Sequence, residues 1–278
     1  MVAASPYSQW DPAAPVLVGA AHALVLFAVA FARLRARGRA DHAPWSRAAL
    51  FVLAIAALTV ALVSPLDAVG DDYLLSAHML QHALLLDVVP ALVLLALRGP
   101  LLVFFPPPAV LRDLGHVRPL RRAVSTLLRP RWSFALWLAV LVLWHVPAVY
   151  ELALRHAGVH DLEHATFLLV GFLVWFQLLD PLRRGTLSGA GRAGYALALI
   201  TASHLLLHPA LHGSGPLYST YADQPRRLLG LSPLSDQHWA VVVMTVDQAL
   251  TLGTLLVVLA LPNRREVGRF VRGEPALD

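Results

Sequence analysis

Histidine is the residue whose number and spacing most clearly point to chemistry in this 278-residue chain, which contains 13 of them. His78 and His82 are spaced four residues apart, as are His160 and His164, and the run His204, His208 and His212 repeats the same step. Side chains four residues apart lie on the same face of a helix. Because two imidazoles on one helix face are a common way to chelate a metal ion, the spacing predicts metal ligands carried by helices.

Further donor side chains occur at comparable depths in neighbouring apolar segments. The predicted metal ligands are His78, His82, His145, His160, His164, His204, His208, Met79 and Asp247. Imidazole with thioether suits copper, particularly Cu(I), whereas imidazole with carboxylate suits zinc or iron. Two histidines on facing helices can also ligate a haem. We therefore predict copper, with zinc or iron and then haem as alternatives. The chain contains no cysteine, which excludes a thiolate site.

The segments that must position these ligands are apolar enough to cross a membrane. The chain is 58% hydrophobic with a mean hydropathy of +0.63. Seven runs approach the ~20 residues that a transmembrane helix needs: 15–31, 45–63, 73–97, 132–154, 159–179, 193–211 and 238–261. Helices satisfy all their backbone hydrogen bonds internally in lipid. We therefore predict an all-α polytopic membrane bundle over residues 15–262, between an extracytoplasmic N-terminal segment, 1–14, and a cytoplasmic tail, 263–278.

Arginine provides every basic charge and is distributed unevenly among the loops. Most of the 22 arginines lie in 33–47, 98–131, 183–192 and the tail from Arg264, while only Arg155, Arg226 and Arg227 lie on the other side. Positive charge concentrates in cytoplasmic loops, so the N-terminus is predicted to face outward. Most histidines then fall in the outer halves of the spans. The net charge of +5 lies in short loops between spans, so we predict no nucleic-acid partner.

Several short motifs punctuate the apolar spans. They are Ser64-Pro65-Leu66-Asp67, His78-Met79-Leu80-Gln81-His82, Trp144-His145 with Pro147 and Tyr150, His160 with Glu163 and His164, Pro216-Leu217-Tyr218 with Tyr221, and Asp236-Gln237. Together they resemble the CtaG family, the assembly factors of caa3-type cytochrome c oxidase. The resemblance covers roughly residues 15 to 262. After Met244, the family pattern leads us to expect Trp and then a Pro-Gly step, where this chain has Thr245-Val246-Asp247-Gln248.

The resemblance implies a multi-pass protein of the bacterial plasma membrane that handles copper on the outer side and aids its delivery to the oxidase. The implied partners are cytochrome c oxidase subunits, the lipid bilayer and an extracytoplasmic copper chaperone. Three alternatives stay open. The first is a zinc or iron enzyme with Glu163 or Asp247 as general base, although the chain has no HExxH motif. The second is a haem-binding protein. The third is a scaffold whose histidines are only packed.

Overall fold

The protein folds as a bundle of helices, and none of the residues that the structure describes lies in a β-strand. The structure is a computed structural model and describes residues 5–10 and 13–261. The predicted cytoplasmic tail lies outside the described residues, as do residues 1–4 and 11–12 of the predicted N-terminal segment. The helices are α1 (Ala14–Ala36), α2 (Trp45–Val63), α3 (Pro65–Asp72), α4 (Leu75–Ala83), α5 (Val89–Ala96), α6 (Pro100–Phe104), α7 (Pro108–His116), α8 (Arg118–Leu127), α9 (Pro130–His145), α10 (Pro147–Arg155), α11 (Ala157–Leu179), α12 (Gly189–His212), α13 (Ser219–Ala222) and α14 (Pro233–Ala260).

Six stretches of the described chain are long and apolar enough to cross a membrane. They are α1, Ala40–Val63, Leu75–Ala96, α11, α12 and α14. A seventh crossing is counted if α8 and α9, which meet at an angle of 80°, form one span. The all-α membrane bundle and its number of spans, about seven, are therefore confirmed.

The fourth predicted span, 132–154, is wrong as a single helix. The chain breaks at Val146, whose φ of −70° and ψ of 120° are extended, and α10 begins at Pro147. Proline has no backbone N–H and disfavours a helical conformation in the residue before it. The 16 residues of α9 are about 24 Å long, less than the ~30 Å hydrocarbon core. His145 consequently lies at the end of its helix rather than deep within it.

Two parallel helical segments form the centre of the bundle. In the most apolar part of each span, 67% of the residues of Leu75–Ala96 and 61% of those of α11 are buried. The corresponding share is 22% in each of the four other spans. α14 begins beside α4, because the Asp236 carboxylate accepts hydrogen bonds from Leu75 N (2.7 Å) and Ser76 N (3.1 Å). We call this end of the bundle, where α4, α11 and α14 begin, the histidine face.

A proline in the central segment brings the two central helices into backbone contact. Pro90 cannot donate to the Leu86 carbonyl four residues earlier, and the chain takes a π-helical turn at Leu84–Val88. The freed carbonyl lies against Gly171 of α11, where an added Cβ would come within 2.3 Å of Leu86 O. Trp175 Nε1 donates to Asp87 Oδ1 (2.9 Å) one helical turn further on. This contact fixes the axial register of α11 against the central segment.

Candidate metal centre

Two histidine pairs face each other across the two central helices. His78 and His82 are the fourth and eighth residues of α4, and His160 and His164 are the fourth and eighth residues of α11. Since both helices begin at the histidine face, the pairs lie at the same depth, roughly 5–10 Å along each helix. The ring centroids of His78 and His160 are 5.2 Å apart, and those of His82 and His164 are 5.5 Å apart.

These side chains form two overlapping groups of possible metal ligands that share His78. His78, His160 and His164 form one group, and His78, His82 and Glu163 form the other, with the ligand atoms of each lying within 4.8 Å of one another. A metal about 2.0–2.1 Å from each donor separates tetrahedral ligand atoms by about 3.3 Å. Small shifts of the rings therefore suffice to bring either group to coordination distance.

Two carboxylates complete the centre. Asp71 of α3 places Oδ1 3.4 Å from both His78 Nδ1 and His160 Nε2. Glu163 Oε1 is 3.5 Å from His82 Nε2. A carboxylate that accepts from one ring nitrogen fixes the tautomer and leaves the other nitrogen free to bind a metal. Asp71 can play this part for His78, whose Nε2 lies 2.9 Å from His82 Nε2.

Several donor atoms of this centre are buried and lack hydrogen-bond partners. They are Asp71 Oδ1, His160 Nε2, His164 Nε2 and both carboxylate oxygens of Glu163. Glu163 itself is fully buried, with 0% of its surface exposed. Buried polar groups are normally hydrogen-bonded, and buried charges are paired or coordinate metals. The arrangement of these side chains therefore suits coordination of a metal ion better than it suits hydrogen bonding among them.

Two tyrosines cover the His78 side of the centre. Tyr221 donates to the Gly70 carbonyl (2.7 Å), and its hydroxyl oxygen lies 3.0 Å from the Tyr150 hydroxyl and 3.4 Å from His78 Nδ1. Burial raises the pKa of both tyrosines well above the usual value, so both stay protonated. Tyr150 consequently donates to Tyr221, whose own proton is engaged at Gly70. Gly70 itself lets α3 approach α4 closely, because an added Cβ would collide with the Gln81 side chain and the His78 backbone.

The family of the chain follows from its comparison with known proteins. A model described as cytochrome c oxidase caa3 assembly factor (Caa3_CtaG) matches residues 25–266. The chain belongs to the Caa3_CtaG family. The match runs from the second half of α1 to the end of α14, and it confirms the resemblance carried by the motifs. Comparison with curated proteins and with solved structures gives no match.

Four of the predicted ligands of this Caa3_CtaG member, His78, His82, His160 and His164, come together as described. Two others do not join them. His204 and His208 are exposed on the outer surface of α12. His204 Nδ1 bonds the Ile200 carbonyl (2.9 Å), and the His208 ring stacks on that of His212 with centroids 4.1 Å apart.

The remaining three predicted ligands lie beside the centre. His145 Nδ1 bonds the Leu141 carbonyl (2.8 Å), while its Nε2 is buried without a partner. Met79 packs in an apolar cluster that also contains Met244. Asp247 borders a small cavity together with His82 and Asp87.

Asp71 is the member of the centre that sequence reasoning missed. The signal was present in Ser64-Pro65, because serine is a preferred helix N-cap and proline a preferred first helical residue. α3 does begin there, with the Ser64 side chain accepting from Leu66 N. Asp67 and Asp71, four residues apart, then lie on one face of this short helix.

The loop that carries Tyr218 and Tyr221 is held in place by the carboxylate of Glu151. We therefore expect the loop to loosen when this carboxylate is protonated. Glu151 Oε1 accepts from Ser219 N (2.6 Å) and Ser219 Oγ (2.5 Å), and these bonds lower the pKa of Glu151 below its ordinary 4.5. Stability gained from a lowered carboxyl pKa is present above the ordinary pKa and is lost as the pH falls through the lowered one. We expect hydrogen exchange of residues 213–222, corrected for intrinsic rates, to rise below about pH 4.

The variant Glu151→Gln should show raised exchange already at neutral pH and lose the acid dependence. Arg155→Gln is the matched control, because it removes only a 3.9 Å ion pair to the same carboxylate from an arginine side chain that is 62% exposed. Acid dependence that persists in Glu151→Gln would contradict this assignment.

Proposed function

We propose that this Caa3_CtaG member binds copper at the candidate metal centre and delivers it to cytochrome c oxidase at the outer side of the bacterial plasma membrane. The observation that carries the proposal is the convergence of four histidines and two carboxylates, several of whose buried donor atoms lack hydrogen-bond partners. Membership of an oxidase assembly family supports the oxidase as recipient. The arginine distribution supports an extracytoplasmic histidine face.

Most ligands of the centre are imidazoles, and this composition favours copper among the candidate metals. Affinity for nitrogen-rich sites rises along the first-row divalent ions to Cu²⁺ and falls at Zn²⁺. Glu163 is the feature that favours a second candidate, a zinc or iron centre in which this carboxylate is a ligand or a base. The metal found in the protein decides between the two.

The proposal is tested on protein purified without a polyhistidine tag, with bound metals measured by mass spectrometry after reconstitution with Cu(I), Zn²⁺ or Fe²⁺. The double variant His82→Ala/His164→Ala should lose the bound copper, and cells that carry it should assemble oxidase lacking copper. His204→Ala/His208→Ala is the matched control, because it removes two exposed histidines with the same spacing on α12. Copper retained in the first variant, or lost equally in both, would refute the site. Stoichiometric zinc or iron in its place would favour the enzyme.

A further inference from the structure

The metal centre is closed to solvent on most sides and open towards one cleft. His78 and Glu163 have 0% of their surface exposed and His82 has 1%. By contrast, 13% of the His160 side chain and 29% of the Asp71 side chain are exposed. Asp71 and His160 border a cleft that His164 also lines. A metal or an exchanging ligand therefore reaches the centre from the His160 side.

This cleft lies between α1, α2 and α11 and has a volume of about 740 Å³. Its walls are apolar and include Gly19, Ala20, Leu58, Leu62, Ala165 and Leu168. Its polar end is formed by carboxylates and imidazoles, among them Asp71, Asp161, His160 and His164. Ligand sites combine mainly apolar walls with a few convergent polar groups in this manner.

The sequence of α1 explains why the cleft stays open. The half of α1 far from the histidine face is anchored, since Phe27 stacks on Phe51 with centroids 4.2 Å apart and Phe31 contacts Trp45 at 5.2 Å. The half near the histidine face carries small residues instead. An added Cβ at Gly19 would meet no atom within 4 Å. The aromatic half holds α1 to α2, and the small-residue half leaves space beside α11.

We propose that the cleft receives an apolar helix of the metal-receiving protein, which presents an imidazole or thioether to the metal beside His160 and His164. This inference rests on the proposed function. The occupant must be apolar because the cleft walls belong to membrane-spanning helices, and small wall residues let helix backbones approach closely. A helix about 10 Å across fills this volume with roughly six residues. The carboxylates and imidazoles at the polar end of the cleft can interact with a polar side chain of such a helix, whereas an acyl chain offers them no polar group.

Transfer is then a ligand exchange inside the membrane. The incoming neutral side chain donates a lone pair to the metal while a metal–imidazole bond to His160 or His164 breaks. The oxidation state of the metal is unchanged and no proton is transferred. Imidazole and thioether both suit copper.

The first test fills the cleft without touching the ligands. Gly19→Trp should leave copper binding by the purified protein intact and abolish most copper incorporation into the oxidase. Val18→Trp is the matched control on the adjacent residue, which is 57% exposed and does not border the cleft. Equal oxidase copper in the two variants overturns the cleft proposal. Wild-type protein that binds no copper refutes the proposed function itself, so the two failures are distinguishable.

The second test identifies the occupant, using a chain that has no cysteine of its own. A small aliphatic diazirine coupled to the thiol of Leu62→Cys, close in size to the leucine it replaces, should crosslink on illumination to a subunit of the oxidase in cells that express it. Val60→Cys, on the same helix and 48% exposed, should not. Crosslinks to lipid alone, or equal protein crosslinks from both positions, overturn the proposal.

Discussion

His78→Ala is expected to abolish metal binding, because His78 belongs to both candidate ligand groups. Removal of His160 leaves His78, His82 and Glu163, and removal of His82 leaves His78, His160 and His164. These two single variants should therefore each retain metal with weakened affinity. Loss of one ligand or its orienting partner typically costs about 10–100-fold in affinity.

The measurement is metal stoichiometry together with Cu(I) competition titrations on the three single variants and on His204→Ala. The last is the control, since its imidazole is exposed on α12. The stoichiometry also counts the ions. If the wild type binds two metal ions per chain, His160→Ala and His82→Ala should each bind one. If it binds a single shared ion, both variants should still bind one ion per chain. Full metal retention by His78→Ala would exclude His78 as the shared ligand.

Glu163→Gln is expected to have opposite effects on the metal-free and the metal-bound protein. The wild-type side chain is fully buried with both oxygens unpartnered, and burial of a charge without a partner is costly. An amide of nearly the same shape removes that cost, so the metal-free variant should unfold at a higher temperature than wild type. The same change removes a charged ligand, so copper affinity should fall by about 10–100-fold.

Thermal unfolding in detergent, with and without added copper, measures both effects. Wild type should gain more stability from copper than Glu163→Gln, because ligand binding stabilises in proportion to the logarithm of the ratio of free copper to Kd. Asp41→Asn controls for a generic loss of carboxylate, since the Asp41 side chain is 66% exposed and lies in the segment between α1 and α2, outside the centre. A metal-free Glu163→Gln that is less stable than wild type would show that the carboxylate is satisfied in the absence of metal.

The sequence predicted the two histidine pairs of the centre because their spacing coincides with the helix repeat. It did not show which pairs face inward. His204 and His208 share a helix face as predicted, but α12 carries apolar residues on all sides, so the pattern did not reveal that this face points out of the bundle. Pairing between helices depends on packing, and packing here is set by particular contacts such as that of Leu86 O with Gly171.

Two further differences between sequence and structure have local causes. The predicted span 132–154 ran past Val146 because apolar residues continue on both sides of the break, whereas Pro147 ends α9 there. Asp71 was not predicted as a member of the centre, because α3 is too short to show the periodicity of a helix. The helical fold and the approximate number of spans were therefore predictable, whereas the carboxylate beside His78 required the three-dimensional arrangement.

The close approach of Gly171 to Leu86 has a mechanical consequence for the metal. Gly171 is seven residues beyond His164 on the same helix, a separation of roughly 10 Å. The backbones touch at Gly171 and cannot move closer, so this point acts as a pivot between the two central helices. Rotation of α11 by about 6° about the pivot displaces His164 by roughly 1 Å, enough to stretch a metal–nitrogen bond of about 2 Å beyond bonding length. A small tilt can thus separate a state that holds the ion from one that lets it go.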